Sequence, residues 1–259
     1  MSTWAQAGRM ALLLCGLVAV QAANSQEPVY PELSLSTGLN FSRGDFGTDA
    51  DIEDFYVPIG FTATFENFAF RIKVPYLSVD TTSEGVTTTE SGLGDISASL
   101  TAFNVLYSND LDLALDITGS LKFGTADRDT GLGTGESDAT LYLDGYKFFD
   151  NATVFGSIGH RWRGEPPNVA FDDVFLAMLG VTFATEWGGL VGTTFDYRES
   201  AISEFDDIQE LQGFVVLPLG DAWDLEVYAF TGFTDSSPEW GAGITIAADL
   251  RRLALRRDR

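Results

Sequence analysis

The stretch that decides the fold is residues 111–123, LDLALDITGSLKF. From Leu111 to Phe123 every second position holds Leu, Ile or Phe, except at Gly119, and the positions between them are polar or small. A period of two predicts a β-strand with one apolar and one polar face. The pattern recurs along nearly the whole chain in segments of about ten residues, which is typical of a transmembrane β-barrel.

The composition agrees with a membrane barrel and excludes other classes. The chain has 259 residues, room for one barrel, and carries 15 Lys and Arg against 38 Asp and Glu, a net charge of −23. An acidic surface repels phosphate groups, so we expect no nucleic-acid partner. After the N-terminus, no apolar run reaches the ~20 residues of a membrane helix.

The N-terminus has the pattern of a signal peptide. Arg9 is followed by an apolar core at 10–20 and by small residues that favour cleavage after Ser25, with Ala22 as the near alternative. Cys15 lies inside that core, so the mature chain would contain no cysteine, which suits a bacterial outer-membrane protein. The predicted organisation is signal peptide 1–25, outer-membrane β-barrel 26–250 and basic C-terminal tail 251–259, the tail as a disordered extension.

Connections of two lengths alternate between the strand segments. Short ones fall at 66–67, 104–110, 150–151, 185–188 and 220–222, and mostly longer, polar ones at 43–54, 79–92, 124–136, 164–172, 200–208 and 234–239. Short periplasmic turns and longer outer loops alternate in this way in outer-membrane barrels. The sequence therefore predicts an all-β fold, a single antiparallel transmembrane barrel of about 12 strands. Parity assigns an apolar outward face and a polar inward face to each strand, although segments 152–163 and 173–184 alternate poorly.

Three short stretches carry a family resemblance. They are VPYLSVD at 74–80, SGLGDISASL at 91–100 and GLGTGESDATLYLDGY at 131–146. With the barrel pattern, they resemble the outer-membrane transporter family of the MetA pathway of phenol degradation over about residues 27–250. The resemblance implies uptake of hydrophobic or aromatic compounds, and it carries no catalytic residues to this chain.

Charged residues with inward parity are the candidate lumen lining. The basic ones are Arg71, Lys73, Lys122, Arg161, Arg163 and Arg198, and the acidic ones are Asp95, Asp112, Asp116, Asp138, Asp144, Asp196, Glu210, Asp224, Glu226 and Asp249. Two outcomes are open: ion pairs brace and plug the barrel, or the charges line a wet channel and set its ion preference. We expect Asp224, Glu226 and Asp249 to form a cation-favouring patch near the periplasmic end.

A second inward set is apolar and would form a path for hydrophobic compounds or pack the lumen shut. Its members are Tyr142, Tyr146, Phe155, Leu176, Met178, Tyr228 and Phe230.

Catalytic and metal sites have little support. His160 is the single histidine, and parity places it on the outward face, opposite to Ser157. Four acids at 49–54 lie in the first outer loop, where we expect divalent ions to bridge them to lipopolysaccharide; their spacing does not fit an EF-hand. We predict no catalytic residue, no bound metal and no cofactor.

The sequence thus predicts a non-enzymatic outer-membrane channel for passive uptake of small, hydrophobic or aromatic compounds. The alternative is a general-diffusion or structural barrel with cation preference, and a lipid-modifying hydrolase is the least favoured. The expected partners are outer-membrane lipid and lipopolysaccharide, a small-molecule substrate and the barrel-assembly machinery. The last of these follows from Gly241, Ile244 and Ile246, which match the assembly signal of a last strand.

Overall fold

A computed structural model describes residues 31–166 and 170–257, so the predicted signal peptide lies outside the described residues. The described chain forms strands and one C-terminal helix in this order: β1 (Glu32–Gly44), β2 (Asp51–Thr64), β3 (Phe68–Ser83), β4 (Val86–Leu93), β5 (Ser97–Ser108), β6 (Leu113–Lys122), β7 (Asp138–Phe148), β8 (Ala152–Trp162), β9 (Val174–Ala184), β10 (Leu190–Arg198), β11 (Ile208–Pro218), β12 (Trp223–Gly232), β13 (Trp240–Asp249) and α1 (Leu250–Arg257).

Twelve of these strands close into a ring. Each strand of the ring pairs antiparallel with its two neighbours, and β3 pairs with β5. The last strand, β13, pairs with β1 and so closes the ring, with Ser34 opposite Asp249 at one end and Arg43 opposite Trp240 at the other. The ring confirms the predicted single antiparallel barrel of 12 strands. The remaining strand, β4, pairs with the outer half of β3.

The 79–92 segment is a hairpin rather than the polar loop that the sequence suggested. β3 continues to Ser83 and turns through Glu84 and Gly85, whose φ angles are 50° and 79°. Two successive residues with positive φ are typical of a type I′ turn, which matches the twist of the flanking strands. Every residue of β4 except Gly92 is exposed, so the hairpin stands above the ring.

β4 and β5 both pair with β3, and residues 94–96 separate them. Lys73 of β3 lies opposite Ser97 of β5, whereas Tyr76 lies opposite Leu93 of β4. Pro75 is at the junction, where its missing N–H is tolerated because the partner strand breaks there. The Gly94 amide donates to the Pro75 carbonyl at 2.9 Å, and a Cβ on Gly94 would meet the Pro75 ring at 3.0 Å.

The two faces of the ring differ as parity predicted. Large apolar side chains on the outward face are exposed, and the inward positions between them are buried. Aromatic contacts mark both rims: Phe41 lies 5.0 Å from Phe55 and 5.2 Å from Trp240 at the outer end, and Phe65 stacks on Phe68 at the inner end. An apolar belt between aromatic girdles fits a bilayer. β8 and β9 also alternate clearly, despite their irregular sequence.

The C-terminal tail corrects the sequence-based expectation of a disordered extension, since residues 250–257 form α1. Asp249 caps this helix: its Oδ1 accepts hydrogen bonds from the amides of Arg251 and Arg252 at 3.0 and 3.1 Å. Nε of Arg252 also lies 3.1 Å from Oδ2 of Asp249. No helix among the described residues has the length and apolar content needed to cross a membrane.

A charge placed on the outward face tests the lipid-facing belt. Leu179 lies at the middle of β9 and is 62% exposed, and Val86 on the outer hairpin is 67% exposed. Leu179→Arg is expected to lower the free energy of unfolding from lipid vesicles in urea by about 2–4 kcal/mol. Val86→Arg remains in water and should cost less than about 0.5 kcal/mol. Equal losses for the two variants would contradict the belt.

Candidate functional site

The lumen carries an apolar, largely aromatic wall on β6 to β12. Five buried residues of this wall belong to the predicted inward apolar set, and they are Tyr146, Phe155, Met178, Tyr228 and Phe230. Four further buried residues were not in that set, and they are Ala114, Leu190, Phe214 and Val216. Phe214 and Val216 share the parity of Glu210 on β11, which was the available signal. A smaller cluster contains Tyr142, Val174 and Leu176.

Each of five inward aromatic rings lies over a glycine. The pairs are direct register partners on neighbouring strands: Tyr142 with Gly159, Phe155 with Gly180, Phe214 with Gly192, Tyr228 with Gly243, and Phe230 with Gly241. In every pair a Cβ on the glycine would run into the ring. The rings therefore lie along the wall instead of across the lumen, and the Tyr228 hydroxyl accepts a hydrogen bond from Nδ2 of Asn40 at 2.8 Å.

The outer end of the lumen is narrowed by the β6–β7 connection. Ala126 and Leu132 of this connection are buried against Tyr56, Leu77 and Val79 of β2 and β3. The connection therefore folds inward over the β2–β3 wall, an arrangement that the sequence did not predict.

Lys122 holds this connection in place. Its Nζ lies 2.9 Å from Oδ2 of Asp95 and 3.3 Å from Oδ2 of Asp138, and it donates to Thr134 Oγ1 and to the Glu136 carbonyl. The other oxygen of Asp95 accepts from the Ala126 amide at 3.0 Å, and that of Asp138 from the Gly164 amide at 3.1 Å. Three of the predicted lumen charges thus form one brace at the outer end.

The remaining inward acids include two directly opposed pairs. Asp116 and Asp144 lie directly opposite on β6 and β7; Asp116 accepts from the Asn104 amide at 2.7 Å and Asp144 from the Thr118 hydroxyl at 3.0 Å. Asp196 and Glu210 form a second directly opposed acidic pair, on β10 and β11.

The basic side chains lie on β3 and at the ends of β8 and β10. Nε of Arg71 donates to Thr62 Oγ1 at 3.1 Å, and the ammonium of Lys73 lies 5.9 Å from the Tyr56 ring centroid and within electrostatic range of Arg161. Arg198 ends β10, and Arg163 follows β8. The cations thus face the lumen from β3 and from the ends of β8 and β10, and β10 also carries Asp196 of the second acidic pair.

Two predicted lumen residues lie elsewhere. Asp112 is in the β5–β6 turn, where its side chain is 66% exposed and 3.8 Å from the Lys147 ammonium. Asp249 caps α1 and Glu226 is buried in the lumen, so the cation-favouring patch that they were expected to form with Asp224 stays a prediction. Sequence reasoning missed Asp54, which it placed in a loop; β2 begins earlier than expected and turns this carboxylate inward, where it is buried.

Neither a catalytic group nor a metal site emerges from the described residues. His160 faces outward, and its Nε2 lies 3.4 Å from Oδ2 of Asp173, but its register partners are Leu141 and Phe175, which offer no nucleophile. Within residues 31–166 and 170–257, no group of three or more His, Cys, Asp or Glu side chains is arranged to hold a metal ion.

The fold resembles solved outer-membrane β-barrels. The COG4313 outer membrane channel from Pseudomonas putida F1 has a TM-score of 0.73 at 12% identity, over 87% of this chain and 98% of that chain. The KdgM porin has a TM-score of 0.54 at 10% identity, over 83% and 98% of the two chains. The CymD monoaromatic hydrocarbon channel has a TM-score of 0.50 at 8% identity, over 86% and 89%.

At these identities the similarity establishes the fold, that of an outer-membrane β-barrel. No known protein-family model matches the sequence, and no curated protein matches it.

A methyl group on Gly243 tests the ring arrangement. Gly243→Ala would displace the Tyr228 ring into the lumen and break its hydrogen bond to Asn40. The expected results are a destabilisation of about 1–3 kcal/mol, typical of overpacking, and a lower conductance in a planar bilayer. Gly213→Ala is the control, because nothing lies within 4 Å of its added Cβ. Unchanged stability and conductance in Gly243→Ala would refute the arrangement.

Removal of the Lys122 charge tests the outer brace. Lys122→Met leaves Asp95 and Asp138 buried without their cation, which should destabilise the brace by about 3–5 kcal/mol and free the connection. Trypsin would then cleave faster after Arg128, an exposed residue of that connection. Lys147→Met loses exposed contacts to Asp112, the Leu111 carbonyl and the Phe149 ring, all outside that connection, and is expected to leave the cleavage rate unchanged. Equal cleavage rates in both variants and the wild type would argue against the brace.

Proposed function

We propose that this protein is a non-enzymatic, passive channel of the bacterial outer membrane for small hydrophobic or aromatic compounds. The observation that carries the proposal is the lumen wall in which Phe155, Phe214, Tyr228 and Phe230 lie over register-paired glycines. Those rings present apolar faces along the lumen without spanning it. A compound that moves down its gradient past such a wall needs no energy coupling.

The sequence resemblance and one structural neighbour agree with this substrate class. The resemblance to the MetA-pathway transporter family of phenol degradation implies hydrophobic or aromatic compounds as substrates, and CymD is a monoaromatic hydrocarbon channel. Aromatic rings prefer offset or edge-to-face contacts with other rings, so a planar solute would pass from one wall ring to the next.

The proposal includes export by the N-terminal signal peptide, insertion by the barrel-assembly machinery and contact with lipopolysaccharide. The acidic outer loops would meet lipopolysaccharide phosphates through divalent ions, although Asp51 and Glu53 already lie 3.5 and 3.7 Å from the guanidinium of Arg43.

A second candidate is general diffusion with cation preference. The opposed carboxylates of Asp116 and Asp144, and of Asp196 and Glu210, favour it, because inward acids attract cations into a wet pore. The reversal potential across a KCl gradient tests it: a cation-selective pore that aromatic compounds do not block would favour this candidate.

Block of the channel current by benzyl alcohol tests the first proposal. In a planar bilayer, the refolded chain is expected to conduct and to be blocked reversibly by this neutral aromatic compound. Phe155→Leu and Phe230→Leu keep apolar bulk but remove the ring, so block should weaken about two- to tenfold.

Phe68→Leu is the matched control for these variants, because it removes an exposed, outward-facing ring. It is expected to leave block unchanged. A folded barrel that carries no current, or block that is equal in all these variants, would reject the proposed path.

A further inference from the structure

A cavity of about 130 Å³ lies at the outer end of the lumen. Its walls come from the β1–β2 connection, the end of β8, the start of β9 and the β10–β11 connection, and they include Phe46, Val174 and Phe205. A protein cavity of roughly 150 Å³ holds a benzene ring. The cavity therefore has the size of one aromatic ring.

Three arginines, Arg161, Arg163 and Arg198, are among the residues that line the cavity. In register, Arg161 lies opposite Val174 and Arg198 opposite Leu176, so these two arginines flank β9 from both sides. All three arginines are half-buried. The cavity thus concentrates positive charge at a place that is partly shielded from water.

The electrostatics of Arg163 show the cost of that concentration. Burial lowers the pKa of Arg163; the carboxylate of Asp138 opposes this effect, and the charge of Arg161 adds to it. A desolvated cation beside another cation is disfavoured, and an anion bound between them would offset that cost.

Two acids also line the cavity, but both are exposed. Oε2 of Glu199 accepts a hydrogen bond from the Phe175 amide at 2.9 Å, and Asp206 lies in the β10–β11 connection. Water and salt screen exposed charges more than half-buried ones. The cavity therefore keeps an excess of positive charge.

Most of the other residues that line the cavity are apolar. Phe46 and Val174 are buried, and Phe171 and Phe205 are half-buried. The guanidinium carbon of Arg163 lies 4.1 Å from the Phe171 ring centroid. An arginine stacked on a ring keeps the N–H groups at its edge directed away from the ring face, so they are oriented to donate to a carboxylate.

We propose that this cavity binds small amphipathic anions, specifically a single aromatic ring that bears a carboxylate. The inference rests on the proposed channel function and names a substrate class for it. The carboxylate would accept paired hydrogen bonds from the arginines, and the ring would pack against Phe171 and Phe205. A neutral ring offers the guanidinium groups no charged acceptor, and acetate has no ring to pack against the apolar lining residues.

The basic side chains continue from the cavity into the lumen. Lys73, which is buried on β3, interacts electrostatically with both Arg161 at the cavity and Arg71, two residues further inward on the same strand. An anion released from the cavity would therefore meet further positive charge on its way inward.

Titration calorimetry of the refolded full chain with benzoate and with benzyl alcohol tests this inference. These probes have rings of the same size and differ in charge. Benzoate is expected to bind at one saturable site at least about tenfold more tightly than benzyl alcohol, because hydrogen bonds to charged groups contribute more than neutral ones. Acetate should bind more weakly than benzoate.

Arg198→Met and Arg161→Met keep the apolar stem and remove the charge, so each should weaken benzoate binding about tenfold and leave benzyl alcohol unaffected. Arg198→Lys, which retains the charge, serves where a Met variant does not fold. Arg43→Met is the control, since Arg43 pairs with Asp51 and Glu53 outside the cavity. It is expected to bind benzoate like the wild type.

Failure of this inference is distinguishable from failure of the channel function. Equal affinity for benzoate and benzyl alcohol, or benzoate binding that is insensitive to Arg161 and Arg198, overturns the inference, whether or not the chain conducts. A folded barrel that carries no current overturns the channel proposal, even where benzoate binds at the cavity.

Discussion

The constraint on which the rest of the structure depends is that a chain within lipid must satisfy its backbone hydrogen bonds internally. The hydrogen bonds between β1 and β13 close the ring, and each residue of the ring within the bilayer then faces either lipid or lumen. A 12-stranded ring is wider than the eight-stranded barrels whose interiors side chains fill. The inward side chains therefore decide what passes, and the glycines opposite Phe155, Phe214 and Tyr228 keep those rings against the wall.

Where the ladder is interrupted, inward carboxylates replace the missing partners. Residues 103–105 form a bulge in β5, where Asp116 accepts a hydrogen bond from the Asn104 amide. Asp95, at the break between β4 and β5, accepts a hydrogen bond from the Ala126 amide. Asp138 accepts a hydrogen bond from the Gly164 amide, which follows β8. Several acids that the sequence presents as selectivity residues thus bind backbone groups, because an unsatisfied buried amide is costly.

Parity predicted the fold well because alternation is a local property of each strand. The strand number, the two faces and the inward aromatic residues were all readable in this way. The brace around Lys122 was not, because Asp95, Lys122 and Asp138 meet only after three strands take their register. Asp112 and Asp249 have inward parity but lie where a turn and a helix begin, and parity stops applying at a strand end. The five register-paired glycines left a weak signal in the sequence, since they stand at inward positions on four strands. Only the strand pairing shows which ring covers each glycine.

The net charge of −23 does not determine which ion the lumen favours. Exposed loop charges are screened beyond about 8 Å at physiological salt, whereas buried and half-buried charges are screened much less. The field along the path depends on the order in which a solute meets the inward charges. Arg161, Arg163 and Arg198 line one cavity at the outer end. The opposed carboxylates of Asp116 and Asp144 lie on β6 and β7, where they accept hydrogen bonds from the Asn104 amide and the Thr118 hydroxyl. An acidic protein can therefore present a basic cluster at its outer end. The local potential depends more on where a few half-buried charges are placed than on the net charge of the chain.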